Sequence, residues 1–331
     1  MHLGPDGPAA RLFTPASGAL FVTAGGGLQR SDDAGATWTP VSLPPRPDNA
    51  AVEVDPTNHQ TVYAATSDGL QCTDDGGTTW TPIFPTVGVV RRIAVSPADP
   101  GVLYVAQGGK NTGDFWFHRS LDGGATWEQL DEQHYSSCVW GVALLTPHPT
   151  DAARVFKTAG CYAGRDLGDV LEESRDHAAT WQTIFRPKTA FPKAIVGGSG
   201  ADPARYYLAV NNDFRAGGSS VLTSLDDAAT WTPILEHTGG GSMAGARQSS
   251  TIIGGLAYDP TLPDHAFVGL NVLKLGGPVL AASVTMTADG GASWTPAGAA
   301  TLPTINDLAL GIDGKNLFAA TEQGVWRLAL G

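Results

Sequence analysis

An eight-residue motif occurs six times in this 331-residue chain, and this repetition constrains the fold more than any other feature. Its pattern is Ser/Thr-x-Asp-x-Gly/Ala-x-Thr/Ser-Trp, and six of the nine tryptophans end a copy, so chance does not explain it. Self-similarity at a spacing of 42 to 63 residues indicates an array of similar structural units. We call the motif the box. Its copies are residues 31–38, 73–80, 120–127, 174–181, 224–231 and 287–294.

The sequence around each box repeats as well. Two short apolar runs, such as residues 91–97 and 102–107, precede the box and are separated by turns containing proline. A third run leads into the box and a fourth, such as residues 80–83, follows it. Short apolar runs bounded by Gly, Pro, Asn and Asp are typical of strands. Each unit is therefore predicted to have four antiparallel strands, A to D, with the box in the C–D turn.

A seventh unit, residues 305–331, supplies strands A to C without a box. Seven such units predict an all-β fold, in which residues 1–331 form a single seven-bladed β-propeller of four-stranded antiparallel blades. Residues 1–9 would provide the outer strand of the last blade, and their Gly and Pro content leaves open whether that blade closes. The predicted blades are residues 10–42, 49–84, 90–130, 137–184, 192–235, 251–297 and 305–330.

The charge and the motif content exclude several function classes. The formal net charge of −12 argues against a nucleic-acid partner, because phosphate recognition needs a basic surface. No run of 18 apolar residues is present, so no membrane span is expected, and the first residues do not resemble a signal peptide. No histidine pair has metal-ligand spacing and no glycine-rich loop leads into a helix. We therefore expect no cofactor and no metal.

The repeated aspartate is predicted to have a structural role. A short carboxylate in a tight turn can accept hydrogen bonds from backbone N–H groups that have no ladder partner. Glycine at the fifth position permits a left-handed backbone, and Ala178 and Ala228 depart from that rule. We expect those two boxes to be strained or differently turned. The box aspartates are Asp33, Asp75, Asp122, Asp176, Asp226 and Asp289.

The boxes resemble the Asp-box, or BNR repeat, of the sialidase-like propeller superfamily. That group includes sialidases, xyloglucan-active hydrolases with twin propellers, sortilin-type receptors and a photosystem II assembly factor. The resemblance implies the propeller fold and places the boxes on the face away from an active site. It does not select one activity, because one fold hosts many functions. Sialidases bind substrate through three arginines. Here four residues, Arg92, Arg165, Arg215 and Arg247, are the candidates, but residues 11–15 match the family's Arg-Ile-Pro signature only loosely.

The extra length of the longer units falls mainly in the B–C and D–A connections of blades 3 to 6. These connections share one face of a propeller, which we call the loop face, and the A–B and C–D turns share the opposite box face. Functional loops are commonly carried by a rigid scaffold, so we predict a ligand site there, although neutral loop variation would look the same. Aromatic and charged residues in these loops suit a carbohydrate or another small polar ligand. The candidates are Trp116, His118, Tyr135, Trp140, Tyr162, Arg165, Arg215 and Arg247.

Two pairs of residues are candidates for chemistry or charge pairing. Asp166 and Asp213 each have an arginine and an aromatic neighbour, and a glycosidase usually needs two carboxylates. Arg92 and Asp307 occupy matching positions on their strands A and are predicted to face the upper mouth of the central channel. They serve either as ligand contacts or only as an internal ion pair.

The three cysteines give one further prediction. Cys138 and Cys161 are equidistant from the centre of the A–B turn of blade 4, so they are expected to form a disulfide, with Cys72 free. A disulfide would favour an extracytoplasmic or secreted protein, and a cytoplasmic one stays possible.

The sequence therefore predicts a carbohydrate-directed propeller, with glycoside hydrolysis as one possibility. The alternatives are a non-catalytic scaffold for a protein partner, or a lyase or other enzyme acting on a small polar molecule. The sequence does not decide whether the protein is an enzyme.

Overall fold

The computed structural model describes residues 1–45, 51–85, 89–108, 114–134, 144–159, 169–187, 190–199, 204–212, 218–238, 249–274, 278–298 and 301–330. These residues form seven four-stranded antiparallel sheets and contain no helix. The prediction of an all-β, seven-bladed propeller is confirmed. No helix long and apolar enough to cross a membrane occurs in these ranges.

In blades 1 to 6 the strands follow one another along the chain in the order A, B, C, D, and in every blade hydrogen bonds join them in that order. The chain begins with β1 (His2–Gly4), which belongs to the last blade. Blade 1 consists of β2 (Ala9–Phe13), β3 (Leu20–Ala24), β4 (Gly27–Ser31) and β5 (Thr39–Val41). Blade 2 consists of β6 (Val52–Val54), β7 (Val62–Thr66), β8 (Gly69–Thr73) and β9 (Thr81–Pro85). Blade 3 consists of β10 (Val89–Val95), β11 (Leu103–Gly108), β12 (Asp114–Ser120) and β13 (Glu128–His134).

The remaining blades repeat this order. Blade 4 consists of β14 (Leu145–Pro147), β15 (Val155–Ala159), β16 (Val170–Ser174) and β17 (Gln182–Phe185). Blade 5 consists of β18 (Ala190–Gly197), β19 (Tyr206–Asn212), β20 (Gly218–Ser224) and β21 (Thr232–Thr238). Blade 6 consists of β22 (Ser249–Asp259), β23 (Leu262–Lys274), β24 (Val279–Thr287) and β25 (Thr295–Pro296). Blade 7 consists of β26 (Ile305–Leu310), β27 (Asn316–Thr321) and β28 (Gly324–Ala329), completed by β1.

The first residues of the chain close the ring. β1 pairs antiparallel with β28, with His2 opposite Trp326, so the last blade is four-stranded. The sequence left this closure open because residues 1–9 are rich in Gly and Pro, but only three of them are needed for the strand. Two further bonds hold it: the N-terminal amine donates to the Arg327 carbonyl at 2.9 Å, and Trp38 Nε1 donates to the Leu3 carbonyl at 3.2 Å.

The apolar core is divided into seven layers, one between each pair of neighbouring blades. The layer between blades 2 and 3, for example, packs Tyr63 and Leu70 against Ile93 and Val105. Strand B of each blade is covered on both faces by such layers, so in most blades its sequence is a largely apolar run rather than an alternating one, with β15 and its buried Lys157 as an exception. β7 shows this directly, since all five of its residues are buried. The other six layers likewise pack buried apolar residues of two neighbouring blades against each other.

Part of the extra length predicted as loops instead lengthens strands. In blade 6, β22, β23 and β24 contain 11, 13 and 9 residues, so most of residues 271–283 continues a hairpin. In blade 3, residues 114–120 form β12. Trp116 and His118 therefore lie on strand C and not in a loop, which corrects the predicted placement. The reason is that an antiparallel hairpin pairs its backbone groups as it lengthens, whereas a long loop leaves them to solvent.

The six boxes share one hydrogen-bond pattern, and box 1 illustrates it. Asp33 Oδ1 accepts from the Ser31 hydroxyl at 2.7 Å and from the Thr37 backbone N–H at 2.8 Å, while Oδ2 accepts from the Thr37 hydroxyl at 2.6 Å. The Ser31 oxygen in turn accepts from the Gly35 N–H at 2.8 Å. The corresponding bonds occur in the other five boxes. The carboxylates of Asp75, Asp122, Asp176, Asp226 and Asp289 therefore hold their turns.

Boxes four and five have the same turn as the others, with residues in the left-handed region that glycine usually fills. Ala178 has a φ of 69° and Ala228 a φ of 66°, and His177 and Asp227 before them are also positive. Of the two alternatives drawn from the sequence, the structure shows strain and not a different turn. In box three, a Cβ on Gly124 would lie 2.9 Å from Ile83 Cδ1, so the neighbouring blade leaves less room there.

The box tryptophans join neighbouring blades. In four boxes the indole N–H donates to a backbone carbonyl of the preceding blade's outer segment, as Trp127 does to Ile83 at 2.9 Å. Trp181 and Trp231, in boxes four and five, have no hydrogen-bond partner for this N–H in the described part of the chain. Each box thus holds its own turn and, in four cases, the blade before it.

Candidate functional site

The strands A line the centre of the ring, where five of them are irregular. The pairing of strand A with strand B shifts register in blades 1, 3, 5, 6 and 7 at corresponding positions. A β-bulge bends a strand and changes the direction of a side chain. Charged residues lie at or beside four of these bulges: Arg11 on β2, Arg92 on β10, Lys193 on β18 and Asp307 on β26.

An ion pair between blades 1 and 2 lies in this channel. Arg11 Nη1 is 3.0 Å from Glu53 Oε2, where Glu53 is the middle residue of β6 between Val52 and Val54. The guanidinium carbon lies 4.7 Å from the centre of the Phe13 ring, which fixes its direction. Of the two side chains, Arg11 is 48% exposed and Glu53 14% exposed. The pair is therefore fixed in position and still reachable from the channel.

Asp307 connects the last blade to the first. Its Oδ2 accepts from the Leu12 backbone N–H at 3.0 Å, and its Oδ1 accepts from the Leu308 N–H at 2.9 Å. It also lies within electrostatic reach of Arg11 and of Lys193 on blade 5, across the ring. The sequence predicted Asp307 at the channel. The direct ion pair there is Arg11–Glu53, and no Arg92–Asp307 ion pair occurs among the described residues.

The surroundings of these groups shift their pKa values. Burial raises the pKa of Glu53, and the Arg11 and Arg92 charges oppose that rise. Burial also raises the pKa of Asp307, although two backbone N–H bonds and Arg11 oppose it. Burial and the neighbouring Arg11 charge lower the pKa of Arg92. The channel thus holds two carboxyl groups that protonate more readily than in water, within reach of several cations.

Two asparagine side chains each bridge two neighbouring blades on one side of the ring, and we call each of these bridges a clasp. Asn271 on β23 donates to the Ile305 carbonyl and accepts from the Ile305 N–H, both at 2.8 Å. Asn211 on β19 makes the same two bonds to Ile253, at 3.0 and 2.7 Å. Each clasp joins strand B of one blade to strand A of the next. The Asn271 clasp sits directly before the bulge that positions Asp307.

The other described candidates lie away from the channel. His118 is 7% exposed and packs edge-on against Phe84 of blade 2, with ring centres 4.8 Å apart. Burial lowers the pKa of His118, so the ring is neutral at neutral pH. Trp116 is half-buried two residues earlier on β12. Neither residue belongs to the set of charged side chains in the channel. We call that set the channel group, and it consists of Arg11, Glu53, Arg92, Lys193 and Asp307.

Most of the loop-face candidates lie outside the described residues. These are Asp166 and Asp213, the binding candidates Tyr135, Trp140, Tyr162, Arg165, Arg215 and Arg247, and the predicted disulfide partners Cys138 and Cys161. Cys72, on β8, is a free cysteine, as the sequence predicted. In the described ranges no group of three His, Cys, Asp or Glu side chains could hold a metal ion.

Sequence reasoning missed three members of the channel group, namely Arg11, Glu53 and Lys193. The signal that could have found them is a charged residue inside an otherwise apolar strand A. The bulges beside Arg11 and Lys193 leave no mark in the sequence.

The fold has many solved counterparts. A GH74 xyloglucanase from Xanthomonas campestris matches with a TM-score of 0.70 and 19% identity, over 100% of this chain and 53% of that chain. YCF48 bound to D1 peptide matches with a TM-score of 0.60 and 15% identity, over 100% and 96%. An oligogalacturonate lyase in complex with manganese matches with a TM-score of 0.65 and 8% identity, over 100% and 92%.

These likenesses show the propeller fold and nothing narrower, because every identity is low. The chain spans about half the length of the xyloglucanase it matches. No protein-family profile matches the sequence. No curated protein matches it significantly either.

Proposed function

We propose that this protein binds a carbohydrate at the loop-face mouth of its channel. The observation that carries the proposal is the convergence of Arg11, Glu53, Arg92, Lys193 and Asp307 from five of the seven blades. Sugar hydroxyls both donate and accept hydrogen bonds, so a site with carboxyl and guanidinium groups can satisfy them in pairs. A rigid ring of strands keeps these groups in place before the ligand arrives, which lowers the entropic cost of binding.

Glycoside hydrolysis is the reaction that such a site would perform. It needs a protonated carboxyl to donate to the leaving oxygen and a second carboxylate about 5 to 10 Å away. Glu53 and Asp307 have raised pKa values, which suits the proton donor. Asp166 and Asp213, which the sequence predicts on the loop face, are the candidates for the second carboxylate. In this scheme Arg11 orients Glu53, and Arg92 and Lys193 bind the sugar.

The structural neighbours support a carbohydrate ligand. The names of the xyloglucanase and of the oligogalacturonate lyase state that both proteins act on carbohydrates. Because this chain matches only about half of the xyloglucanase, the activity of that whole enzyme is not transferred. We further propose an extracytoplasmic location, on the basis of the predicted Cys138–Cys161 disulfide.

A non-catalytic scaffold is the second candidate. This chain matches YCF48 bound to D1 peptide over 96% of that chain's length. In that case the loop face would present the candidates listed from the sequence to a protein partner. The channel charges would then serve only to hold the strands A together.

A glycan screen separates these proposals. Thermal unfolding is measured for the wild type with neutral and acidic oligosaccharides, because a ligand that binds the folded state raises its stability. Products are measured in the same samples. Glu53→Gln and Asp307→Asn are compared with Glu128→Gln, whose side chain is 61% exposed on the outer strand β13.

Stabilisation lost in both channel variants and kept in Glu128→Gln supports the channel site. Turnover abolished by the same two variants supports hydrolysis, and binding without turnover supports a lectin-like role. If no oligosaccharide stabilises the wild type, the carbohydrate proposal is wrong.

A further inference from the structure

An apolar pocket opens on the box face, at the end of the channel opposite the charged group. Its volume is about 180 Å³. The lining comes from the C-terminal ends of strands A in blades 3 to 6, or the residues just after them, and from the first residues of strands B in blades 4 and 5. Its principal walls are Pro97, Pro147, Phe156, Ile195, Tyr206 and Tyr258.

The aromatic walls are held rigidly. Tyr206 packs edge-on against Phe156, with ring centres 5.7 Å apart and planes at 68°. The Tyr206 hydroxyl lies 2.8 Å from His148 Nε2, and the Arg154 guanidinium carbon lies 5.1 Å from the centre of the Tyr206 ring. The Tyr258 hydroxyl pairs with the Ser199 hydroxyl. These contacts fix the rings that border the pocket.

The tyrosine hydroxyls and the charged groups around the pocket already have partners within the protein. The hydroxyls of Tyr206 and Tyr258 are hydrogen-bonded as above, and Arg154 pairs with Glu173 and with Asp227. Burial and the Arg154 charge lower the pKa of His148 to about 4, so this imidazole is neutral at neutral pH. A ligand entering the pocket therefore meets carbon surfaces and few free donors or acceptors. A charged ligand would lose its hydration without gaining a partner.

We propose that this pocket binds a neutral aromatic ring. Its volume resembles that of apolar cavities which take up a single ring in other proteins, about 150 Å³. The prolines and aromatic rings of the lining offer carbon surfaces for contacts with a planar ligand. The site is independent of the carbohydrate proposal, because it lies on the opposite face and shares no residue with the channel group.

The ring can belong to a free small molecule or to a peptide, and the experiment distinguishes these sources. Indole, indole-3-acetate and a neutral tripeptide with a central tryptophan are titrated into the full-length protein and followed by protein NMR. Indole is expected to bind saturably with a Kd below about 1 mM, as small, well-buried apolar ligands do. Indole-3-acetate, which carries a charge, is expected to bind at least ten-fold more weakly. If the peptide binds more tightly than indole, the ring belongs to a protein partner. If it binds more weakly, the ring belongs to a small molecule.

Three variants place the site. Thr146→Phe fills the pocket, whose lining includes Thr146, and should weaken indole binding more than ten-fold. Thr150→Phe makes the same change at an exposed position of the same turn and should leave binding within two-fold. Tyr258→Phe keeps the ring and should also bind. If Thr146→Phe does not fold, Tyr258→Ala, which removes one wall, should show the loss instead. No saturable indole binding by the wild type, or equal binding by the pocket-filling and control variants, would overturn the proposal.

Discussion

The Asn271 clasp allows a quantitative test of how the blades are held together. Asn271 is 1% exposed, and both of its bonds go to the backbone of Ile305 in the next blade. Asn271→Ala leaves a buried N–H and a buried carbonyl without partners. Each unpaired group costs about 1–3 kcal/mol, so the variant should lose about 2–6 kcal/mol of unfolding free energy. This is a large part of the total for a domain, which is about 5–15 kcal/mol.

Urea unfolding, followed by tryptophan fluorescence, measures this loss. The matched control is Asn316→Ala, because Asn316 bonds to Asp313 at an exposed turn and should cost no more than about 1 kcal/mol. The midpoint should fall clearly for Asn271→Ala and little for the control, with similar slopes. Equal losses in the two variants would refute the claim that the clasp holds blades 6 and 7 together.

The boxes give the remaining predictions. Gly124→Ala should lower the unfolding free energy by about 1–3 kcal/mol, because the new methyl group meets Ile83 in a left-handed turn. Ala178→Gly should change the unfolding free energy by less than about 1 kcal/mol, because relief of backbone strain offsets the lost burial of the methyl group. Urea midpoints compare the two, and equal effects would contradict this account of the turns. Hydrogen bonds from Thr37 and Ser31 lower the pKa of Asp33 from 3.8 to about 2. Its contribution to stability is present above pH 4 and is lost as the pH falls towards 2, so Asp33→Asn should reduce the acid-induced decline, and an unchanged decline would count against it.

The architecture followed from the sequence because it is repeated. Six boxes and seven sets of apolar runs carry the same local information, so errors in single strands do not change the number of blades. The continuous apolar runs of strand B were informative as well, since burial on both faces removes the alternation seen in half-exposed strands. The sequence also marked the alanines at 178 and 228 as sites of strain or of a different turn, and their positive φ angles show strain.

The details of the site were harder to predict for physical reasons. Glu53 looks like one charged residue in a three-residue strand, and its partner Arg11 lies on another blade. Their meeting depends on the bulge in β2 and on how blades 1 and 2 pack side by side, which are properties of the assembled fold. The placement of Trp116 and His118 was wrong because hairpin extension and loop growth give the same spacing between boxes. The role of Asn271 could not be predicted, because an asparagine in a strand does not show in the sequence which backbone it will bond to.

The most direct test of the central claim is a calorimetric titration of the strongest oligosaccharide from the screen. It would compare the wild type with Lys193→Ala, which removes a channel cation near Asp307, and with Lys315→Ala, which removes a cation from the A–B turn of blade 7 on the box face. The account predicts that Lys193→Ala binds at least ten-fold more weakly, about 1.4 kcal/mol, and that Lys315→Ala binds like the wild type. Equal affinity for all three proteins would contradict a ligand site at the channel mouth.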